Sequence, residues 1–480
     1  MGKIINYIES VCPVCLKKVM AQKVQYDDGV YLEKTCDEHG FFKTLIWEGQ
    51  DYKDWRGKEV YKTPEVLGNN VNKGCPYDCG ICSEHRQETC CVLLELTDRC
   101  NLKCPICFAS ANEDVKPDVS IERVAEYFDY LMDCGGPYNI QLSGGEPTMR
   151  DDLDQIIKIG REKGFTFFQL NTNGIRIAED ADYIKKLAEA GLNTVFLQFD
   201  GLTEKPYIRL RGKKLLRTKL KAIENCKKAG VGVVLVPTVE KDANLDQLGK
   251  IIEFAINNMP AVRGVHFQPI SYFGRYENRD ETFRITIPKM IKEIEKQMNG
   301  KMKVGDFMPG GAENSYCSFH ANFLVNEDRS LRALGSRTSC CSKPTSSKQS
   351  REFVAKQWSA REGIDTNEPI NCSSIEAEET SCCCSSKPEV KVEEASCCCS
   401  SESPKKQEVI GTKSLDDFIE RFEKYTLAIS AMLFQDAWNL DIDRLKQCYI
   451  HVVSDDENIK LVPFCAYNLT NTKGEYLYRK

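Results

Sequence analysis

The chain has 480 residues, a formal net charge of −6 and a pI near 5.7. That length holds roughly two to four domains. The charge shows no basic stripe that would mark nucleic acid as the main partner. No apolar run reaches membrane-spanning length and the N-terminus lacks a signal-peptide core, so the expected setting is cytoplasmic. There, 25 cysteines read as metal or redox chemistry, because a reducing compartment does not sustain disulfides.

Residues 1–60 form a first unit. Cys12-Pro-Val-Cys15 is followed by a strand-like hairpin over roughly 19–35 and then by Cys36-Asp-Glu-His39-Gly40. Two short knuckles joined by a hairpin predict one tetrahedral ion held by Cys12, Cys15, Cys36 and His39. Zinc and a rubredoxin-like iron both suit soft sulfur ligands. The plainer alternative makes His39 a turn residue beside Gly40. Residues 61–91 form a second unit, in which Cys75, Cys79 and Cys82 have C-x3-C-x2-C spacing and Cys90 and Cys91 follow. Gly68-Asn69-Asn70 reads as loop, so no strand leads into this motif. Cys90 is expected to close a fully ligated auxiliary [4Fe–4S] cluster, and Cys91 to begin a strand and pack.

Residues 92–275 alternate apolar runs with amphipathic stretches. Strands are predicted over 92–97, 138–143, 166–172, 194–199, 232–238 and 264–269. Helices are predicted near 120–133, 151–163, 179–190, 214–229 and 245–257. Six strand–helix units argue for parallel crossovers in an α/β fold. Six are too few for a closed eight-fold barrel, so the expectation is an open, partial (β/α)6 barrel with chemistry at the C-terminal strand ends. Residues 276–336 extend it.

The loop after the first strand carries Cys100, Cys104 and Cys107 in Thr97-Asp-Arg-Cys-Asn-Leu-Lys-Cys-Pro-Ile-Cys. A cubane has four irons, and three cysteines leave one of them open to a small molecule. Gly144-Gly145-Glu146-Pro147 ends the second strand. Glycines let backbone approach a ligand closely, and a loop carbonyl with Glu146 would accept from an ammonium group. Asn171 and Asn173 end the third strand, and Gln198 and Asp200 the fourth. They are placed for a ribose or carboxylate, although helix capping competes for Asn173 and Asp200. His266 and Gln268 on the sixth strand are placed to line a cavity, or His266 is a hydrogen-bonded core histidine.

Residues 337–412 turn to Ser, Thr, Lys, Glu and Pro, a flexible composition. They hold Ser381-Cys-Cys-Cys-Ser-Ser386 and Ser396-Cys-Cys-Cys-Ser-Ser401, with a shorter Ser339-Cys-Cys-Ser342. These triplets read as low-complexity expansion or as ligands for thiophilic metals or metalloids. Residues 413–480 fold again, with a helical pattern over 415–434. Cys448 and Cys465 flank an apolar strand. With Cys317, and Cys340 or Cys341, they are candidates for a second auxiliary cluster.

Together the open three-cysteine loop and the Leu-Ser-Gly-Gly-Glu-Pro motif at 142–147 resemble the radical S-adenosylmethionine (SAM) enzymes. The run from Cys75 to Ala109, the CPVC…CDEHG knuckle and the ending Pro463-Phe-Cys-Ala-Tyr-Asn468 are similar to one branch of them. That branch includes the archaeal tetraether lipid synthase and 7,8-dihydro-6-hydroxymethylpterin methyltransferases. The resemblance implies SAM and one catalytic [4Fe–4S] cluster, with one or two auxiliary clusters and one mononuclear iron or zinc. It implies reductive cleavage of SAM, hydrogen abstraction from an unreactive C–H, and then methylation or C–C bond formation. It further implies a small-molecule or lipid substrate and an electron donor such as ferredoxin or flavodoxin. The rival reading is an electron-transfer or metal-binding protein with every cluster fully ligated.

Overall fold

The computed structural model describes residues 2–57, 61–66, 68–112, 115–276, 284–335, 346–361, 366, 368–375, 414–456 and 458–479. The N-terminal unit is a four-stranded antiparallel meander of β1 (Lys3–Val11), β2 (Lys18–Gln25), β3 (Gly29–Cys36) and β4 (Gly40–Glu48). The sequence pattern marks only the central hairpin. On the outer strands Ile4, Tyr7 and Phe41 stand in solvent, so the alternation that flags a buried face is blurred. The meander is tied to the C-terminal region. Ser10 donates to the Leu440 carbonyl at 2.6 Å, Lys34 donates to the Ala437 carbonyl at 2.7 Å, and Lys23 pairs with Asp441 at 2.6 Å.

The barrel strands are β5 (Cys91–Glu95), β6 (Asn139–Ser143), β7 (Phe168–Thr172), β8 (Thr194–Gln198), β9 (Gly232–Val236) and, after the short β10 (Thr238–Val239), β11 (Val262–Pro269). β5, β6, β7, β8, β9 and β11 pair in parallel in that order. The crossovers carry α1 (Ile121–Asp133), α2 (Leu153–Glu162), α3 (Ile175–Glu179), α4 (Ala181–Ala190), α5 (Glu204–Arg211), α6 (Leu216–Lys228) and α7 (Leu248–Asn257). Starts follow from caps: Ser120 accepts from the Arg123 amide at 3.2 Å, and Asp180 accepts from those of Asp182 and Tyr183. Asp152 makes no such cap and instead pairs with Arg150 at 2.7 Å. The helices lay Val124, Phe128, Ile156, Ile184 and Ile223 on strands whose own Leu94, Ile140, Leu170, Val195 and Val233 are fully buried. Coverage of both faces by helices and cavity-filling side chains is what keeps a parallel sheet dry.

Beyond the barrel lie α8 (Ile287–Gln297), β12 (Met308–Pro309), β13 (Ser318–Val325), β14 (Leu331–Ala333), α9 (Ser347–Trp358), α10 (Leu415–Lys424), β15 (Thr426–Met432), α11 (Ile442–Leu445), β16 (Ile450–Asp455), β17 (Ile459–Pro463) and α12 (Phe464–Tyr467). The C-terminal region is built onto the same sheet. β15 pairs in parallel with β11, β16 in parallel with β5, and antiparallel β13 and β17 form the flanks. Two expectations are corrected. The helical pattern over 415–434 is a helix only to Lys424 and then the strand β15. Thr426–Met432 is a short apolar run, which fits a buried strand as well as a helix, and its place between β11 and β13 decides it. The flexible reading of 337–412 does not hold over 347–358, where α9 forms behind a Ser346/Gln349 capping box. The cysteine triplets lie outside the described residues.

Candidate functional site

The cysteine loop sits at the C-terminal end of β5. Asn112 pins it by accepting from the Cys100 amide at 2.9 Å and donating to the Cys100 and Leu102 carbonyls at 2.8 and 3.1 Å. Arg275 closes the far end. It exchanges backbone hydrogen bonds with Cys107 at 2.8 and 3.0 Å, and its Nε donates to the Cys104 carbonyl at 2.9 Å. Cys100, Cys104 and Cys107 thereby face one cavity and lie close enough to act on one another electrostatically. Burial pushes the Cys100 thiol up to about 12. Three thiols at a cavity mouth suit an iron–sulfur cluster with one vacant iron, so the donor set fits the group implied.

Gly144 and Gly145 make their close approach to the cysteine loop itself. A Cβ on Gly144 would lie 2.4 Å from the Thr97 carbonyl oxygen, and one on Gly145 2.5 Å from that of Arg99. Gly144 also has φ +127°, which side chains disfavour. Glu146 also braces the loop. Its carboxylate accepts from the Thr148 amide and hydroxyl, the Thr172 hydroxyl and the Asn173 amide, at 2.7–3.1 Å. Three of these bonds fall on Oε1 and only the Asn173 amide on Oε2, so the carboxylate binds the loop to β7 and keeps an acceptor position on Oε2 at the cavity it lines. Pro147 starts the short 3₁₀ turn that follows.

The cavity holds about 320 Å³ and runs from the cysteine loop down inside the strands. Amide side chains line it. Gln169 donates to Asn171 at 2.7 Å, Asn171 donates to Gln141 at 3.1 Å, and Gln268 lies across from them. His266 shares a 2.9 Å hydrogen bond with Ser430, and burial holds its imidazole down to about 4, so it is neutral. Asn173 lines the cavity just before Gly174, the N-cap of α3: its Oδ1 accepts from the Ile175 amide at 3.0 Å while its Nδ2 donates to Asn101 of the cysteine loop at 2.6 Å. Asp200 does not line the cavity. It holds Arg211 through two hydrogen bonds of 2.7 and 2.8 Å, both groups being buried. Arg211 is the group that faces the site, beside Cys104 and Cys107. Gln198 accepts from Lys219 at 3.3 Å, and Lys219 also donates to the Asn173 carbonyl at 2.5 Å. Burial lowers that ammonium to about 8. Sequence reasoning missed Arg211 and Lys219, since both sit in helices rich in cations of which most are solvated.

In the N-terminal meander Cys12, Cys15, Cys36 and His39 offer ligand atoms all within 4.8 Å of one another. The Cys15 and Cys36 sulfurs are 4.0 Å apart, and His39 Nδ1 is 3.7 and 3.5 Å from those of Cys12 and Cys36. Ligands 2.3 Å from one tetrahedral ion stand about 3.8 Å apart, so the group fits a mononuclear metal.

The remaining cysteines are sorted differently from expectation. Cys75 and Cys79 are hydrogen-bonded and Cys82 acts on both. The Asp78 carboxylate shapes their loop by accepting from the amides of Asn72, Lys73 and Gly74. Cys90 stands apart from these three. Its amide donates to the Tyr449 carbonyl at 2.8 Å, which draws it to the start of β5, where its thiol feels the charges of Cys91, Arg351 and Glu313. Both Cys90 and Cys91 line the cavity, so Cys91 is not simply packed. Cys317, Cys448 and Cys465 do converge, from three separate segments, with the Arg444 guanidinium 3.3 Å from the Cys317 sulfur. Cys340 and Cys341 lie outside the described residues.

A parallel partial barrel with three cysteines over its C-terminal mouth defines the class, and the Radical SAM superfamily matches residues 94–255. The HMPTM N-terminal zinc ribbon domain matches residues 4–48. The 7,8-dihydro-6-hydroxymethylpterin dimethyltransferase of Methanocaldococcus jannaschii is 38% identical over 478 residues, covering 96% of this chain and 92% of that one. The Fe-coproporphyrin III synthase of Methanosarcina barkeri is 38% identical over 152 residues, 31% of this chain and 37% of that one. Among solved structures, Streptococcus suis SuiB bound to precursor peptide SuiA aligns with TM-score 0.38 and 18% identity over 45% of this chain and 46% of that one. The chain belongs to the radical SAM enzyme family that contains the M. jannaschii pterin dimethyltransferase.

Proposed function

We propose that the chain is a radical SAM methyltransferase whose substrate is a compact, uncharged nitrogen heterocycle of the reduced-pterin kind. The observation that carries this is the cavity, which joins the three cysteines to the amides of Gln141, Gln169, Asn171 and Gln268 and a neutral imidazole, set among flat apolar side chains such as Phe167, Phe196 and Trp358. The relative named for a dihydropterin supports the same substrate class.

Cys100, Cys104 and Cys107 would hold the catalytic [4Fe–4S] cluster. Bound there, the cluster and SAM together supply one-electron cleavage of a sulfonium and abstraction of a substrate hydrogen. The chain's own residues do the rest. Arg211, oriented by Asp200, sets a positive charge beside the thiolates. The Gly144 and Gly145 carbonyls and the Oε2 of Glu146 would accept from an ammonium. Asn171, Gln198 and the strand amides orient polar edges. Cys12, Cys15, Cys36 and His39 would hold zinc, in keeping with the matched zinc ribbon. Cys75, Cys79 and Cys82 would carry one auxiliary centre, and Cys317, Cys448 and Cys465 another. An acidic one-electron carrier of the ferredoxin or flavodoxin kind would supply electrons.

The test is anaerobic assay of the reconstituted protein with SAM, a low-potential reductant and 7,8-dihydro-6-hydroxymethylpterin. One SAM would be cleaved to methionine and 5′-deoxyadenosine as the substrate hydrogen is taken, and a second would give its methyl group and leave as S-adenosylhomocysteine, the reductant supplying both electrons. The expected result is 5′-deoxyadenosine, S-adenosylhomocysteine and a methylated pterin, all lost in Cys104→Ala while the N-terminal ion is retained. SAM cleavage that no pterin stimulates would refute the substrate assignment.

A further inference from the structure

α9 belongs to the segment that composition marked as a flexible insertion, yet it walls the substrate cavity. Ser350, Val354 and Trp358 are spaced four apart, so they share one helix face, and all three line the cavity. Helix α9 is fastened to the N-terminal ends of the barrel strands, opposite the cysteine loop. Asn139 at the start of β6 donates to the Arg351 carbonyl at 3.1 Å. At the start of β11 the fully buried Arg263 donates to the carbonyls of Gln357 at 3.1 Å and Lys424 at 2.6 Å. Gln357 in turn donates to the Thr426 carbonyl at 2.6 Å. At Gly232, the start of β9, a Cβ would lie 2.4 Å from the Trp358 carbonyl oxygen, so only glycine lets the helix end come this close. With its backbone held on three strands, Trp358 sets its ring 4.7 Å from Phe196 and 6.2 Å from His266, while His266 stacks on Phe196 at 5.4 Å.

We propose that Trp358 is a specificity-determining residue, its indole forming the floor that sets how deep a ring system and its substituent can enter below the cysteine loop. This rests on the reading that the cavity holds the substrate ring. An indole on a pinned backbone is a rigid, uncharged surface. It offers a stacking face to a planar heterocycle and leaves no room beneath it for a bulky side arm. Replacing it with a small residue opens the floor, weakens hold on a small ring and admits a longer one. Adding bulk on the same helix face does the reverse.

The experiment compares methylation of 7,8-dihydro-6-hydroxymethylpterin with that of 7,8-dihydropteroate, which carries an aryl arm at the same ring position. The full-length, cluster-bearing enzyme is used, with iron and sulfide content matched between variants. Trp358→Ala is expected to lower kcat/KM for the small pterin roughly tenfold, chiefly through KM, in line with the loss of one stacking face. It is also expected to raise the 5′-deoxyadenosine formed per methylation and to gain turnover of the pteroate. Trp358→Phe should keep most of the small-ring preference, and Val354→Phe should sharpen it, which covers the case in which the alanine variant assembles poorly. An unchanged ratio between the two substrates in all three variants overturns the proposal while leaving the pterin assignment intact. Wild-type enzyme that cleaves SAM but modifies neither ring overturns both.

Discussion

At the scale of single residues, the site is governed by which charges are already spoken for. Asp200 and Glu146 sit at strand ends where ligand-binding carboxylates are expected, yet Asp200 is spent on Arg211 and Glu146 is shared between the loop donors around Thr172 and the cavity it lines. Their positions follow from strand boundaries that a sequence reveals, but their partners arrive from helices and loops tens of residues away. The Asp200–Arg211 pair predicts that Asp200→Asn strands a buried guanidinium and costs roughly 3 kcal/mol, read as a lower unfolding midpoint. An unchanged midpoint would mean that the pair is dispensable. The histidines predict a pH response. Burial holds His85 and His266 near 4, whereas an unfolded imidazole ionises near 6.5. Between those values the unfolded chain binds more protons, so stability is complete above about 6.5 and is lost as pH falls toward 4, by up to roughly 3 kcal/mol per residue. His85→Gln should flatten the fall in thermal midpoint over that window, and an unaltered slope would contradict this sign.

At the scale of elements, the central device is the seating of the Gly-Gly-Glu-Pro loop on the cysteine loop. The Gly145 amide donates to the Thr97 carbonyl at 2.7 Å and the Glu146 amide to that of Arg99 at 2.8 Å. Gly145→Ala would drive a methyl group into the Arg99 carbonyl. It is expected to cost most of the iron bound by Cys100, Cys104 and Cys107 while sparing the N-terminal ion, as measured by metal analysis; full cluster occupancy would show that the two loops tolerate separation. The barrel strands and helices were legible because the crossovers carry local signals: apolar runs, caps such as Ser120 and Asp180, and glycines such as Gly191 at positive φ. β13 and β15 were not, and the strand between Cys448 and Cys465 was legible only as a strand, because the pairings of β15 with β11 and β13 and of β16 with β5 join segments far apart in sequence. A strand-forming run joined to a helical pattern, as at Thr426, carries no local mark of the change.

At the scale of the whole molecule, metal-ligating residues fall into groups of different legibility. The knuckle pair Cys12/Cys15 and Cys36/His39 is compact in sequence and compact in space. Cys317, Cys448 and Cys465 meet only after β13, β15 and β16 have joined the barrel sheet, so no spacing rule links Cys317 to the other two. Cys90 misled for the converse reason, since nearness in sequence to Cys82 was overridden by the entry of β5 into the sheet. The meander holds the C-terminal region through Lys23, Lys34 and Ser10. Cys15→Ser is therefore predicted to release one ion per chain and lower the thermal midpoint with the cubane iron retained; an unshifted midpoint would make the ribbon a passive appendage. The proposed chemistry rests on a cluster with a vacant iron above the cavity. Its most direct test is electron paramagnetic resonance of the reduced, fully reconstituted protein with and without SAM. The account predicts that SAM alters the signal of one [4Fe–4S] cluster and that Cys104→Ala abolishes this response; spectra identical in the presence and absence of SAM would contradict it.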